Sequence, residues 1–285
     1  MNKTQLHESI LNNSQITMES KIYIPKSILQ ITGSQKFTRD EVGKSESTVL
    51  MFPDYVLKIQ KHTAETDNEV KIISWLKDSI PCPQILKYEI ENDTSYTLES
   101  RIKGKMLCDE EYLNNKELLL DLVADGIKSL WKVDVTACPV TEVSPLTKRL
   151  EQARYNVEHN LVDLDDAEED TFGPQGFKDP MDLLLWLENN RPEEDIVLSH
   201  GDFCLPNVFA EGKQITGFID LGKMGPADRW NDVAIAIRSL DHNASGFYTN
   251  GKKCFDVIPE MLLERLGIKM DFHKNKYYKL LDELF

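Results

Sequence analysis

The sequence contains no long apolar run: nowhere in its 285 residues does it reach the roughly 18 consecutive apolar side chains that a membrane span requires. The opening stretch MNKTQLHESILNNSQITMES also lacks the continuous apolar segment of a secretory signal. Cysteine is sparse and unpaired. The five, at 82, 108, 138, 204 and 254, form no C-x-x-C, which argues against a disulfide framework or a zinc site and suits a reducing compartment. Basic residues are outnumbered, 33 against 48 acidic, for a formal charge of −15. Such a surplus repels a phosphate backbone and an anionic membrane surface, setting nucleic acid and membrane aside as partners. A cationic small molecule remains compatible. With 14 glycines, 12 prolines and 41% hydrophobic residues, the composition is that of a folded chain rather than a disordered one. The expectation is a soluble cytoplasmic protein, monomeric or weakly dimeric.

Two β-rich runs, STVLMFP and YVLKIQ, flank Pro53-Asp54 and read as a hairpin. Residues 65–79 change to a helical period with Ile72, Ile73 and Leu76 on one face, and QILKYEI and SYTLES supply two further strands. RIKGK (101–105) reads as a linker. Beyond it, 114–133, 145–161, 179–190, 228–240, 255–267 and 273–285 recur at three and four residues as helices, interrupted by the short strands DIVLSH, NVFA and QITGFID. The expected class is α+β in two lobes: a small β-rich lobe with its linker over 1–104 and a mostly helical one over 105–285.

Within HGDFCLPN, Asp202 stands five residues before Asn207, the interval of a kinase catalytic loop. In phosphoryl transfer the aspartate receives a hydroxyl proton while the asparagine holds Mg²⁺. Asp220 ends the apolar strand ITGFID and would take a second metal position. Few hard oxygen ligands suit Mg²⁺, which keeps waters and phosphate oxygens in its shell. Either aspartate alone would pass for a turn or cap residue. His200 either positions the loop through a backbone hydrogen bond or is a satisfied histidine at a strand end, and Cys204 reads as a packed thiol. Lys58, on YVLKIQ, can reach a nucleotide phosphate. Glu69 lies on the apolar stripe of its helix and needs a partner; pairing it with Lys58 resolves both placements. GKSES (43–47) offers backbone N–H groups to phosphates, although the G-x-x-x-x-G-K-[ST] loop is absent.

HGDFCLPNVF…FIDLGKMGPADRWNDVAIAIRS, FKDP, KYEI…YTLES…KG and the terminal YYKLLDELF together resemble the aminoglycoside 3′-phosphotransferases, which have a protein-kinase-like fold, over about 35–285. The resemblance implies ATP-dependent transfer of a phosphoryl group to an aminoglycoside hydroxyl, most simply the 3′-hydroxyl, with Mg²⁺ and with ATP or GTP as donor. It places Asp202 as catalytic base, Asn207 and Asp220 as metal ligands, and Lys58 with Glu69 as the nucleotide-positioning pair. Ser45 falls on the phosphate-side loop, and Ser100 and Ile102 on the segment that recognises the base. Asp165, Glu168, Glu169, Lys223, Arg238, Glu283 and the carboxylate of Phe285 fall on the substrate lining. Five positions depart from the pattern. The adenine-stacking aromatic falls on Val56, an acidic loop residue on Leu205, an arginine after the metal aspartate on Lys223, and an acidic pair on His242 and Asn243. The same chemistry on another amine, a nucleotide-binding module without catalysis, and an interaction protein are the alternatives.

Overall fold

The computed structural model describes residues 22–39, 47–77, 79–140, 144–165, 167–174, 176–248 and 252–285. They cluster into two compact units. One comprises the described chain up to His62 with Gln84–Arg101; the other comprises Thr63–Pro83 with Ile102–Phe285. The α+β, two-lobed organisation expected from the sequence is observed. Among the described residues no helix is long and apolar enough to cross a membrane.

The first unit carries helix α1 (Lys26–Thr32) and strands β1 (Thr38–Arg39), β2 (Thr48–Met51), β3 (Tyr55–Lys61), β4 (Ile85–Glu91) and β5 (Thr94–Ser100). The strands form one antiparallel sheet in the order β1-β2-β3-β5-β4. The expected hairpin at Pro53-Asp54 is present, closed by the Phe52 N–H to Tyr55 carbonyl bond at 2.8 Å. Asn92 and Asp93 turn β4 into β5 with φ of 48° and 62°, the left-handed pair that matches strand twist in a two-residue loop. Ile28, Leu50, Phe52, Leu57, Tyr96 and Leu98 form the core, with Tyr55 and Ile59 packed against it. Strand alternation therefore sends Val56 and Lys58 to the opposite face.

The second unit begins with α2 (Ala64–Leu76), where Thr63 and Thr66 cap each other's backbone N–H groups, each orphan donor finding an oxygen. Then come β6 (Lys105–Met106), α3 (Glu110–Leu113), α4 (Lys116–Trp131), α5 (Leu146–Glu158), α6 (Pro180–Asn189), β7 (Ile196–Ser199), β8 (Val208–Glu211), β9 (Gln214–Phe218), β10 (Gly225–Asp228), α7 (Arg229–Ser245), α8 (Pro259–Leu266) and α9 (Phe272–Asp282). Helices α4, α6, α7 and α9 bury Leu119, Val123, Ile127, Leu183, Leu184, Leu187, Val233, Ile237 and Leu281 completely or nearly so. Each such side chain stabilises the fold by about 1.5–3 kcal/mol. Tyr278, Leu281 and Leu284 are buried, so the last helix docks as its apolar spacing implies.

Three details differ from the sequence reading. The segment read as a linker ends in β6, which pairs with Ala210 and Phe209 of β8. Gly104 permits this approach, since it has φ of 93° and a Cβ there would lie 2.3 Å from the Ala210 carbonyl oxygen. GPAD forms β10 against β7, although glycine, proline and aspartate are poor strand formers. Finally α2 packs within the second unit, where Asn68 Nδ2 donates to the carbonyls of Gly222 (2.7 Å) and Met224 (3.0 Å).

Asn68→Ala removes both buried bonds and leaves two carbonyls without that donor, a loss of about 2 kcal/mol. Urea unfolding should show a lower midpoint at unchanged slope, and an unaltered midpoint would rule out this anchoring.

Candidate active site

The loop carrying Asp202 is held from beneath by a carboxylate that the sequence reading did not single out. Asp232, in the first turn of α7, is wholly buried. Its Oδ2 accepts the His200 N–H at 2.8 Å; its Oδ1 accepts the Ser199 hydroxyl at 2.8 Å and the Gly201 N–H at 3.1 Å. Burial drives its pKa above the ordinary carboxylate range, while His200 and the three donors pull it back. Gly201, next to Asp202, has φ of 85°, and a Cβ there would sit 2.4 Å from the Lys223 carbonyl oxygen; no other residue fits. The Leu205 N–H donates to Ser239 Oγ of α7 at 2.9 Å. His200 thus positions the loop through its main chain. Its buried ring packs edge-on to Phe203 and Phe218, and neither ring nitrogen has a hydrogen-bond partner among the described residues, so the alternative of a satisfied histidine side chain does not hold.

Asn207 closes a single 3-10 turn, Leu205–Asn207. Its Nδ2 donates to the Asp202 carbonyl at 3.1 Å and to Asp202 Oδ2 at 3.2 Å. The antiparallel β8–β9 hairpin then returns the chain, and the Ile219 N–H donates to the Asn207 carbonyl at 3.0 Å. Asp220 follows at once with φ of 57° and ψ of 54°, a left-handed conformation whose strain is found most often at functional sites. The Leu221 N–H donates to Glu69 Oε1 at 3.3 Å, so Asn68 and Glu69 of α2 both brace the turn after Asp220. With the Asn207 nitrogen engaged on Asp202, its amide oxygen and the Asp220 carboxylate are the hard oxygens this segment offers. That donor set fits Mg²⁺ completed by water and phosphate oxygens; no cluster of three or more histidine, cysteine or acidic side chains suited to a metal occurs among the described residues. Cys204 lies within this group. Burial, and after it Asp202, pushes its thiol far above the ordinary range, with Asp220 adding to the effect, which agrees with a packed thiol rather than a nucleophile.

In the first unit, Lys58 is buried with its Nζ 3.6 Å from Glu99 Oε1, a partner absent from the sequence reading. The Ser100 Oγ accepts the Gln84 N–H at 2.9 Å. Glu69 and Ile102 belong to the second unit, where the Ile102 side chain lies over Gly217. Ser45 lies outside the described residues.

The second unit also contains a cleft of ≈ 840 Å³ lined by Glu168, Trp186, Arg238, His242, Lys279 and Glu283 among others. Glu283 Oε2 accepts the Glu168 N–H at 2.9 Å, and its Oε1 accepts from Arg238 at 3.0 Å. Burial raises the Glu283 pKa against these two contacts. Arg238 also pairs with Asp282, and Arg149 reaches Asp282 at 3.6 Å. Burial alone would raise Asp282, but Arg238, Lys223 and Arg149 outweigh it and hold its pKa below the ordinary range. The expected residues are therefore only partly gathered. Glu168, Arg238 and Glu283 share the cleft, while Asp165 and Glu169 are exposed and outside its lining. Phe285 also lies outside it, its ring 5.0 Å from the Arg149 guanidinium carbon and 5.4 Å from Lys223 Nζ. Asp232, Asn68, Glu99 and Asp282 were the residues missed. For the first two the available signal was a polar side chain on the buried face of an amphipathic helix.

The model of the phosphotransferase enzyme family matches residues 29–252. An aminoglycoside 3′-phosphotransferase of Enterococcus faecalis is 36% identical over 86% of this chain and 87% of its own. One from Niallia circulans is 32% identical over 92% and 97%. Among solved structures, aminoglycoside phosphotransferase APH(3'')-Id from Streptomyces rimosus superimposes with a TM-score of 0.75 over 90% of this chain and 95% of that one, at 23% identity, a likeness of fold.

Asp232→Asn would turn an amide nitrogen toward groups that are themselves donors. Turnover should fall at least tenfold, with about 1–3 kcal/mol of stability lost and an unchanged circular dichroism spectrum. Wild-type turnover and stability would remove Asp232 from this role.

Proposed function

Because this chain belongs to the aminoglycoside phosphotransferase family, we propose that it transfers the γ-phosphoryl group of ATP to the 3′-hydroxyl of aminoglycoside antibiotics and so confers resistance. The observation that carries this reading is the Asp202–Asn207 contact, with Asp220 one residue beyond the Ile219–Asn207 bond. In this reading Asp202 accepts the proton of the attacking hydroxyl as its oxygen bonds to the γ-phosphorus. The bond from phosphorus to the β–γ bridging oxygen breaks, and ADP departs. Magnesium, held by Asn207 Oδ1 and the Asp220 carboxylate, would supply neutralisation of phosphate charge. The protein's part is chiefly positioning.

Lys58 is assigned to the nucleotide phosphates with Glu69 as its partner, Ser45 to the phosphate-side loop, and Ser100 and Ile102 to the base. GTP is the alternative donor, since Val56 stands where an adenine-stacking aromatic would. Glu168 and Glu283 are assigned to substrate ammonium groups, with Asp165, Glu169, Lys223, Arg238 and Phe285 around them. The 3′ position is supported by the names of the curated relatives. A cytoplasmic, monomeric or weakly dimeric enzyme belongs to the same reading. A second reading, another hydroxyl or another cationic amino alcohol, is favoured by the His242 side chain, whose Nε2 lies 3.0 Å from Glu168.

Asp202→Ala should lower turnover by about 10²–10⁴ while calorimetry shows Mg-ATP binding little changed; retained turnover excludes Asp202 as the base. With ATP, kanamycin should yield a 3′-O-phosphate identified by NMR, and tobramycin, which lacks that hydroxyl, should remain unmodified. Phosphorylated tobramycin would move the reaction to another position.

A further inference from the structure

His242 occupies an unusual place in the cleft. Its Nε2 lies 3.0 Å from Glu168 Oε1, and its Nδ1 lies 3.5 Å from the Tyr248 hydroxyl. The ring stacks on Phe247 at 4.7 Å and 22°, so its orientation is fixed by packing as well as by hydrogen bonds. The Glu168 main chain is anchored by its own N–H on Glu283, and the His242 ring cannot swing aside without breaking its contacts to Tyr248 and Phe247. The charged groups about His242 come from three directions. Those lining the cleft with it are Glu168 and Asp170 on the segment before α6, Asp241 and Arg238 on its own helix, and Lys276, Lys279 and Glu283 on and just beyond α9. Arg238 already pairs with Glu283, and Lys279 is held below the ordinary lysine range by burial and by Arg238. Glu168 is the carboxylate that the His242 ring contacts, so its availability depends on His242.

We propose that His242 is a positioning residue for amine recognition: when protonated it holds Glu168 in an ion pair and withdraws that carboxylate from a cationic sugar, and when neutral it orients Glu168 while leaving its charge available. A neutral imidazole protonated at Nε2 still donates to Glu168 and accepts at Nδ1 from Tyr248, so the geometry persists while the charge changes. Imidazole is the side chain whose ordinary titration falls between pH 5 and 8. The sign follows: a protonated His242 weakens amine binding, and a neutral one strengthens it. The inference rests on the aminoglycoside reading above and deepens it, making the enzyme's substrate affinity pH-dependent through a residue that touches no reacting atom.

The test is steady-state kinetics on kanamycin from pH 5.5 to 8 with wild type, His242→Gln and Glu168→Gln, paired with calorimetric binding of kanamycin without nucleotide. The substrate's own amines titrate equally for all three proteins, so comparison at each pH cancels them. Relative to His242→Gln at the same pH, which keeps a donor but cannot titrate, the wild-type KM and dissociation constant should be about fivefold higher at pH 5.5, a typical coupling between two bound species, and should converge on the variant's values at pH 8. Glu168→Gln should bind more weakly than His242→Gln by a constant ratio across the range. The effect should fall on KM rather than kcat, whereas misplacement of the catalytic loop would lower kcat. A wild-type enzyme whose profile is reproduced by His242→Gln overturns the inference and leaves the function standing. A wild-type enzyme that phosphorylates no aminoglycoside overturns the functional reading, and this inference with it.

Discussion

A single buried carboxylate organises the reactive part of this chain. Placing Asp232 in the core carries a large desolvation cost, which only close donors on both oxygens can offset. The chain supplies three, and two of them are successive main-chain N–H groups immediately before Asp202. The position of the proposed base is thereby fixed by the backbone, independently of what Asp202's own side chain does. A loop held this way can keep its terminal carboxylate solvated and reactive, because the anchoring charge is a different one.

From that anchor, polar contacts continue without a break into the cleft. Ser199 Oγ accepts from Asn231, Asn231 from Arg149, and Arg149 pairs with Asp282. Asp282 and Glu283 share Arg238, Glu283 holds the Glu168 main chain, and Glu168 meets His242. Helices α5, α7 and α9 and the segment before α6 are tied together by the same network. Such a network specifies one arrangement because removing a member leaves a buried charge without its counterpart, a heavier loss than the pair's own net contribution. It sets distances between the loop of the proposed base and the groups proposed to bind amines; a transmitted signal along it would need two alternative states.

Local chemistry made much of this legible. The hairpin at Pro53-Asp54, the stripe of Ile72, Ile73 and Leu76, and the docking of Tyr278, Leu281 and Leu284 all follow from periodicity, which reports which face is buried. The 202–207 interval singled out two side chains that a single short turn brings into contact. What escaped reading depended on distant segments. GPAD becomes a strand only because β7 offers a free edge. Asn68 and Asp232 are polar residues on buried helical faces, and spacing shows that such a residue needs a partner without naming it. Lys58 illustrates the same limit: its strand and face were readable, yet Glu99 lies across the sheet on a neighbouring strand.

The acidic surplus of the chain is a poor guide to its cleft. Charge counted over the sequence suggests an attractive field for any polycation, yet the cleft lining includes Arg238, Lys276 and Lys279 beside its acids. Arg238 engages both Asp282 and Glu283. What a cationic ligand meets is therefore the carboxylate charge left after internal pairing, and that remainder is set by a few neighbours rather than by net charge. Two chains of this family with the same overall charge can differ in which amines they hold, depending on whether a position such as 242 adds an acid, a neutral donor or a titrating base beside Glu168.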